Sequence, residues 1–179
     1  MTDKEMIRLL SVPSTRRQAF EELVKQYSES LYWKIRRMVI NHDDADDVLQ
    51  NTFVKAWTNL DQFQARSSLS TWLYRIAINE ALDFLRRQKK RQNVSGEEYE
   101  GLANRLMADE FFNGNEVQAQ LQEAISQLPD VQRTVFNLRY YDDMKYTQMS
   151  EILGTSEGAL KASYHLAVKK ITEFFKHND

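Results

Sequence analysis

The residues whose type and spacing most directly suggest chemistry are four aspartates in the segment Asp43-Asp44-Ala45-Asp46-Asp47. They contain an Asp-Asp-x-x-Asp spacing, and clustered carboxylates are the ligands that hard cations such as Mg²⁺ prefer. One hypothesis for this segment is therefore magnesium-assisted chemistry on a diphosphate substrate.

This enzyme hypothesis is not favoured. Isoprenoid synthases, which use that spacing, need a large helical cavity and a second acidic motif, and this chain of 179 residues shows no second motif suited to the task. The absence of Cys excludes disulfides, thiol catalysis and Cys-based zinc sites, and the 3 His residues are scattered. We expect no catalytic residue, no metal, no cofactor and no small-molecule substrate.

Helix capping accounts better for the aspartates. Asp43 or Asp44 can accept the free N–H groups at the start of a helix that runs to Trp57, and an acidic first turn suits the positive end of the helix dipole. Three- and four-residue spacing predicts one buried face, made of Val48, Leu49, Thr52, Phe53, Ala56 and Trp57. The outward polar face then carries Asp46, Asp47, Gln50, Asn51 and Lys55.

A second polar surface is predicted on a helix over Thr71–Arg91. Its apolar stripe consists of Trp72, Leu73, Ile76, Ala77, Ala81 and Leu85. Arg75, Asn79, Arg86 and Lys90 lie at helical spacing on another face, and the helix ends with five cations in six residues. Such a cluster suits phosphate contacts, and Asn and Arg side chains can read base edges.

A polar loop from Thr58 to Ser68 precedes that helix. Ser68 or Ser70 can cap the helix. Phe63 is the one large apolar residue of the loop. From its type and position alone, its ring is expected to pack back on the core.

The C-terminal part of the chain predicts a helix-turn-helix. A short helix over Tyr146–Leu153 is followed by Gly154, as a C-terminal cap, and Thr155 or Ser156 can cap a last long helix. This layout also occurs in proteins that bind no DNA. Recognition helices contact bases mainly with their N-terminal half, where this chain exposes Ser156, Glu157, Gly158, Lys161, Ser163, Tyr164 and His165.

Composition favours an all-α chain with two small helical domains. Only 5 Gly and 2 Pro occur, without strand-like alternation. We predict domains at 1–92 and 117–179, joined by a flexible acidic linker at 93–116, in which apolar residues such as Leu102 and Leu106 are too sparse for a core. No stretch approaches the ~20 apolar residues that span a bilayer, so we expect a cytoplasmic protein.

Three segments, in the same order, resemble bacterial sigma factors of the extracytoplasmic-function (ECF) group. Residues 43–57 are similar to region 2.2, Leu69–Asn79 to the segment that melts and reads the minus-ten element, and Leu128–Lys161 to region 4.2, which reads the minus-thirty-five element. The resemblance implies a region 2 bundle and a region 4 helix-turn-helix domain. It also implies binding to core RNA polymerase and promoter DNA, which the net charge of −2 permits because charges are segregated.

The resemblance also assigns residues. Core polymerase would be contacted by Asp46, Asp47, Gln50, Asn51 and Phe53, with Asn51 where the family more often has Glu. By the same resemblance, Asn79 contacts the non-template strand of the minus-ten element, and Phe63 belongs to the loop that helps to hold a flipped-out base. Ser67, Arg75, Arg86 and Lys90 are expected to complete the contacts to the minus-ten region. In the minus-thirty-five domain Lys145 stands where Ser or Thr usually opens the first helix, so Thr147 is expected to cap it. The recognition face lacks the usual Arg residues, so its target sequence does not carry over.

Two further expectations follow from the same resemblance. Such sigma factors are commonly held by an anti-sigma factor, often membrane-bound, and we expect one here. The alternative is a stand-alone helix-turn-helix regulator of transcription. That reading explains the C-terminal domain but not the acidic helix or the basic helix end beside the loop that carries Phe63.

Overall fold

The computed structural model describes residues 1–91, 101–110 and 112–178, and for residues 90 and 91 the backbone alone. These residues contain helices and no strand, which confirms the predicted all-α class. The helices are α1 (Asp3–Ser11), α2 (Pro13–Val39), α3 (His42–Thr58), α4 (Leu69–Arg91), α5 (Leu102–Met107), α6 (Glu116–Ser126), α7 (Asp130–Tyr140), α8 (Tyr146–Leu153) and α9 (Glu157–His177). None of the helices in these ranges is long and apolar enough to cross a membrane.

The chain divides into two compact units, Met1–Gln88 and Lys89–Asp179, here called the N-terminal and C-terminal units. The predicted domains at 1–92 and 117–179, and the predicted linker at 93–116, stay a prediction. The acidic residues Glu97, Glu98 and Glu100, and the apolar Phe111, lie outside the described residues.

The N-terminal unit is built on the α1–α2 corner. A capping box starts α1, because Thr2 Oγ1 accepts the Glu5 N–H and the Glu5 carboxylate accepts the Thr2 N–H. Pro13 opens α2, where its missing N–H costs nothing. Apolar residues of α1, α2, α3 and α4 bury each other, the largest being Met6, Leu23, Ile35, Leu69, Leu73 and Ile78.

A tight turn joins α2 to α3. Ile40 has φ +76° and donates its N–H to the Arg36 carbonyl at 2.7 Å. Asn41 then caps α3, because its Oδ1 accepts the N–H groups of Asp43 at 2.8 Å and Asp44 at 3.2 Å. The expectation that Asp43 or Asp44 is the cap was wrong. A cap must lie before the first helical turn, and the helix starts earlier, at His42.

The C-terminal unit packs α6, α7 and α9 around a core of Ala124, Ile125, Leu128, Phe136, Ala167 and Ile171. Before them, α5 packs on α6 and buries Leu102 and Leu106. The Glu123 carboxylate accepts the Ala103 N–H at 3.3 Å, near the start of α5. The expectation that these leucines are too sparse to join a core was therefore wrong, since two residues one helical turn apart bury one face of a short helix.

The helix-turn-helix is formed by α8 and α9. Gly154 takes the left-handed conformation (φ +67°) and donates its N–H to the Ser150 carbonyl, as predicted for a C-terminal cap. Ser156 caps α9, because its Oγ accepts the Ala159 N–H at 3.2 Å. Thr147 does not cap α8, contrary to expectation, because the capping position falls on Lys145 and Thr147 is already helical.

Candidate nucleic-acid and protein interfaces

The polar face of α3 is open to solvent. Asp46, Asp47, Gln50 and Asn51 are all exposed, and Gln50 donates to the Asp46 carboxylate at 3.0 Å. Partial burial, and then the charges of Asp47 and Asp43, raise the pKa of the Asp44 carboxyl above its ordinary value. The first half of α3 therefore carries several carboxylates close enough to repel one another, which favours a cationic partner.

The apolar side of α3 differs from the prediction at its end. Phe53 is buried at 8% exposure and meets the Phe20 ring edge-on, with centroids 6.4 Å apart. Trp57 was expected to be buried but is 43% exposed, although its ring contacts Phe20 with centroids 5.1 Å apart. Val54 is 65% exposed. The helical period did not predict that Val54 and Trp57 are exposed beside the polar face of α3. The position of Val54, three residues after Asn51 and four after Gln50, was the one indication in the sequence that an apolar residue lies on that face.

An ion pair joins α3 to α4. The Lys55 ammonium donates to the Glu80 carboxylate, whose side chain is 10% exposed. That hydrogen bond, and then the charge of Glu80, raise the pKa of Lys55. Lys55 was predicted as part of an outward polar face and Glu80 was not singled out, because periodicity does not show which helix faces a side chain.

Three of the residues of α4 that were predicted to contact the minus-ten region are exposed on the same helix. Arg75 and Asn79 are exposed and one helical turn apart. Arg86 is exposed, and its guanidinium pairs with Asp83 at 2.8 Å. The Lys90 side chain lies outside the described residues. One polar stripe of α4 therefore presents Arg75 and Asn79, with Arg86 further along the helix.

The loop before α4 is held close to the helix. The Phe63 ring packs on Trp72 with centroids 4.9 Å apart, and it stays half-buried. Ser68 Oγ accepts the Thr71 N–H at 3.2 Å, which confirms Ser68 as a cap. Ser67 is partly exposed and Ala65 has φ +53°. The structure thus places Phe63 and Ser67 beside the first turn of α4.

The start of α9 presents a small, mixed surface. Glu157, Gly158, Lys161 and His165 are exposed, and Ser163 is partly exposed. The Oγ of Ser156 is engaged in the helix cap described above. A Cβ added to Gly158 would meet no atom within 4 Å, so the surface around it is open.

Tyr164 is placed differently from its neighbours. Its ring stacks on Phe136, with centroids 5.7 Å apart and planes 14° from parallel. Burial, ahead of the nearby Tyr146, raises the pKa of its phenol. Its ring therefore belongs largely to the core of the C-terminal unit, and the helical period alone did not reveal this.

Comparison with known proteins gives two consecutive family matches. Residues 23–91 match sigma-70 region 2, and residues 118–171 match sigma-70 region 4. The first contains the whole of α3 and α4, and the second contains the helix-turn-helix. A stand-alone helix-turn-helix regulator is not favoured, because it does not account for the first match.

Two curated relatives match this chain along most of its length and of their own. The ECF RNA polymerase sigma factor SigW of Bacillus subtilis is 32% identical over 167 residues, which cover 88% of this chain and 89% of that protein. The RNA polymerase sigma factor CnrH of Cupriavidus metallidurans is 30% identical over 178 residues, covering 95% and 93%.

Solved structures support the fold. CnrH in complex with the cytosolic domain of CnrY covers 99% of both chains, with a TM-score of 0.68 and 24% identity. RpoE in complex with the anti-sigma factor NepR, from Bartonella quintana, has a TM-score of 0.65, 23% identity and coverage of 88% and 96%. The chain belongs to the sigma-70 family of RNA polymerase sigma factors, in its ECF group.

Proposed function

We propose that this chain binds core RNA polymerase, directs it to specific promoters and helps to melt promoter DNA at initiation. The observation that carries the proposal is the pairing of an exposed acidic face on α3 with a polar, cationic stripe on α4 in one unit, and a helix-turn-helix in the other. The protein would act in the cytoplasm, where RNA polymerase works, and it would catalyse no reaction itself.

Polymerase docking is assigned to α3. Asp46, Asp47, Gln50 and Asn51 supply carboxylates and amides that can pair with cations and hydrogen-bond donors of the polymerase. Phe53 is buried, so it would contribute to docking indirectly, by packing on Phe20 and fixing the position of α3. The exposed Val54 and Trp57 extend this face, and a partner that covers them would gain apolar burial.

Minus-ten recognition is assigned to the loop and α4. Extruding a base from the stack costs a few kcal/mol, which contacts to the extruded base must offset. Phe63 and Ser67 would line the place where that base is held. Asn79 would contact the non-template strand, while Arg75, Arg86 and Lys90 would contact phosphates or base edges.

Minus-thirty-five recognition is assigned to the start of α9. Ser156, Glu157, Gly158, Lys161, Ser163 and His165 would face the major groove, and Gly158 allows close approach of the backbone. Lys161 would act as a point charge toward phosphates. Tyr164 would contact the DNA through its hydroxyl group, because its ring stacks on Phe136 in the core.

An anti-sigma factor is the proposed regulatory partner. The support is that related proteins of the same fold, CnrH and RpoE, have been seen with CnrY and the anti-sigma factor NepR respectively. Pull-down of the tagged protein from unstressed cells should recover one small protein whose binding excludes core polymerase. Recovery of polymerase subunits but of no inhibitory protein under any growth condition would contradict this part.

The experiment that tests the function compares DNA binding with and without core polymerase. Labelled promoter DNA from the host genome should be bound specifically only when core polymerase is added. The stand-alone regulator predicts the opposite outcome, specific binding by the isolated protein that added polymerase leaves unchanged.

A further inference from the structure

Helix α1 precedes the residues that match sigma-70 region 2, and none of its residues has been given a role above. Its first residue, Asp3, makes two hydrogen bonds to other elements. Oδ1 accepts from the Tyr27 hydroxyl at 2.9 Å, and Oδ2 accepts from the Leu69 N–H at 3.2 Å. One carboxylate therefore bridges α2 and the first residue of α4.

The Leu69 N–H needs this partner. It belongs to the first turn of α4, where N–H groups have no acceptor within the helix. Leu69 is fully buried (0% exposed), so water does not replace the missing acceptor. Ser68 Oγ accepts the Thr71 N–H and not that of Leu69. Asp3 thus caps α4 from a position 66 residues earlier in the chain.

Other contacts hold Asp3 in place. The capping box of Thr2 and Glu5 fixes the first turn of α1, and the buried Met6 and Leu10 fix the helix on α2. These contacts hold the backbone of Asp3 where its carboxylate can accept the Leu69 N–H.

Arg16, near the start of α2, links the C-terminal end of α1 to the segment just before the loop. Arg16 Nε donates to the Leu10 carbonyl at 2.9 Å, and its Nη2 lies 3.3 Å from an Asp61 carboxylate oxygen. Asp61 lies in a single 3-10 turn, Leu60–Gln62, immediately before Phe63. Asp61 is 82% exposed, so this ion pair is the weaker of the two attachments.

We propose that α1, together with Arg16 at the start of α2, positions the Phe63–Ser68 loop for promoter DNA. Asp3 is the main positioning residue and the Arg16–Asp61 pair is the second attachment. The inference rests on the proposed function, in which this loop holds an extruded base of the minus-ten element. A loop fixed at both ends before DNA arrives loses less conformational entropy when it binds.

The attachment itself is tested by hydrogen–deuterium exchange on the full chain. In Asp3→Ala the amides of residues 63–69 should exchange about tenfold faster, as expected for loss of a charged hydrogen bond. Asp3→Asn should stay close to the unsubstituted protein, because its carbonyl can accept from Leu69 and its amide can donate to the Tyr27 oxygen. Glu29→Ala, which removes an exposed carboxylate from α2, is the matched control and should change nothing.

The positioning role is tested with core polymerase and single-stranded minus-ten oligonucleotides, taken from a promoter that the unsubstituted protein uses. Asp3→Ala should lose about tenfold of the discrimination at one base position, the one held by the loop. Discrimination at the other positions and affinity for core polymerase should be retained. Asp3→Asn should restore the discrimination, which general loss of structure would not explain.

The possible failures are distinguishable. Unchanged exchange in Asp3→Ala overturns the attachment, and faster exchange with unchanged base discrimination overturns the positioning role. If the unsubstituted protein recognises no promoter with core polymerase, the proposed function fails while the exchange result still judges the attachment. Should Asp3→Ala not fold, Asp61→Asn gives the same exchange test at an exposed residue. There we expect about twofold faster loop exchange, and no change would contradict attachment at both ends.

Discussion

At the scale of single residues, the docking proposal depends on the exposed carboxylates of Asp46 and Asp47 on α3. We expect Asp47→Arg to weaken binding to core polymerase by about tenfold or more, because it replaces attraction by repulsion at a complementary surface. Anisotropy of a labelled protein titrated with core polymerase measures this.

The control for Asp47→Arg is Glu29→Arg, an equal charge reversal at an exposed position of α2. It should leave the affinity unchanged. Equal weakening by both substitutions would mean that only net charge matters, and the assignment of the α3 face would be wrong.

The Lys55–Glu80 pair gives a second prediction at this scale. Lys55→Met leaves the largely buried Glu80 carboxylate without its cation, and we expect a loss of about 1–2 kcal/mol in the free energy of unfolding. Lys25→Met is the matched control, because Lys25 pairs with Glu22 on the surface of α2 and such pairs contribute about 0–1 kcal/mol.

Tryptophan fluorescence in urea can measure that loss for one unit alone. The 3 Trp residues are Trp33, Trp57 and Trp72, all in the N-terminal unit. Equal shifts of the transition for Lys55→Met and Lys25→Met would show that the burial of Glu80 has no energetic consequence.

At the scale of elements, the turn of the helix-turn-helix depends on Gly154. Ala at φ +67° meets no neighbouring atom but adopts a conformation that costs a non-glycine residue roughly 1–2 kcal/mol. We expect Gly154→Ala to destabilise the C-terminal unit by about that amount. Circular dichroism of thermal unfolding should show it, while the tryptophan transition stays unchanged.

Gly158→Ala provides the matched control within the same motif. Gly158 lies inside α9, has no positive φ, and has open space where a Cβ would stand. Ala should be neutral or stabilising there, by up to about 1 kcal/mol. Destabilisation by both substitutions to the same degree would contradict the conformational argument.

The contact between α1 and α2 predicts a dependence on pH. Burial, and after it the hydrogen bond to Asp3, raise the pKa of the Tyr27 phenol from its ordinary 10.0 to about 12. The folded state therefore favours the protonated phenol. Its contribution to stability is fully present below pH 10 and is lost as the pH rises toward 12.

Comparison with Tyr27→Phe isolates that contribution, since all other groups titrate alike in both proteins. The difference in unfolding free energy between the two proteins should be constant below pH 10 and should shrink from pH 10 to about 12. A difference that grows across this range would have the wrong sign for a raised pKa.

At the scale of the whole molecule, much of the helical layout was predictable because apolar periodicity and caps are local signals. Ser68, Gly154 and Ser156 acted as predicted. The errors arose where tertiary packing decides. Asp3 caps a helix 66 residues away, and the period of a helix does not distinguish the buried Phe53 from the half-exposed Trp57.

The residues that form the candidate sites could be predicted from the sequence, but several of their contacts could not. The exposed face with Asp46, Asp47, Gln50 and Asn51 followed from periodicity. Tyr164 occupied a predicted recognition position, yet its ring stacks on Phe136 from another helix. No local pattern records that contact, nor the one between Lys55 and Glu80.

The central claim is that this chain gives core polymerase a promoter specificity. Transcription from a library of promoter sequences, with purified core polymerase and mapped start sites, tests it most directly. We predict new start sites that require the protein, share two sequence elements upstream, and disappear with Asp47→Arg or Asn79→Ala. Start sites identical with and without the protein, while the isolated protein binds specific duplex DNA, would contradict the account.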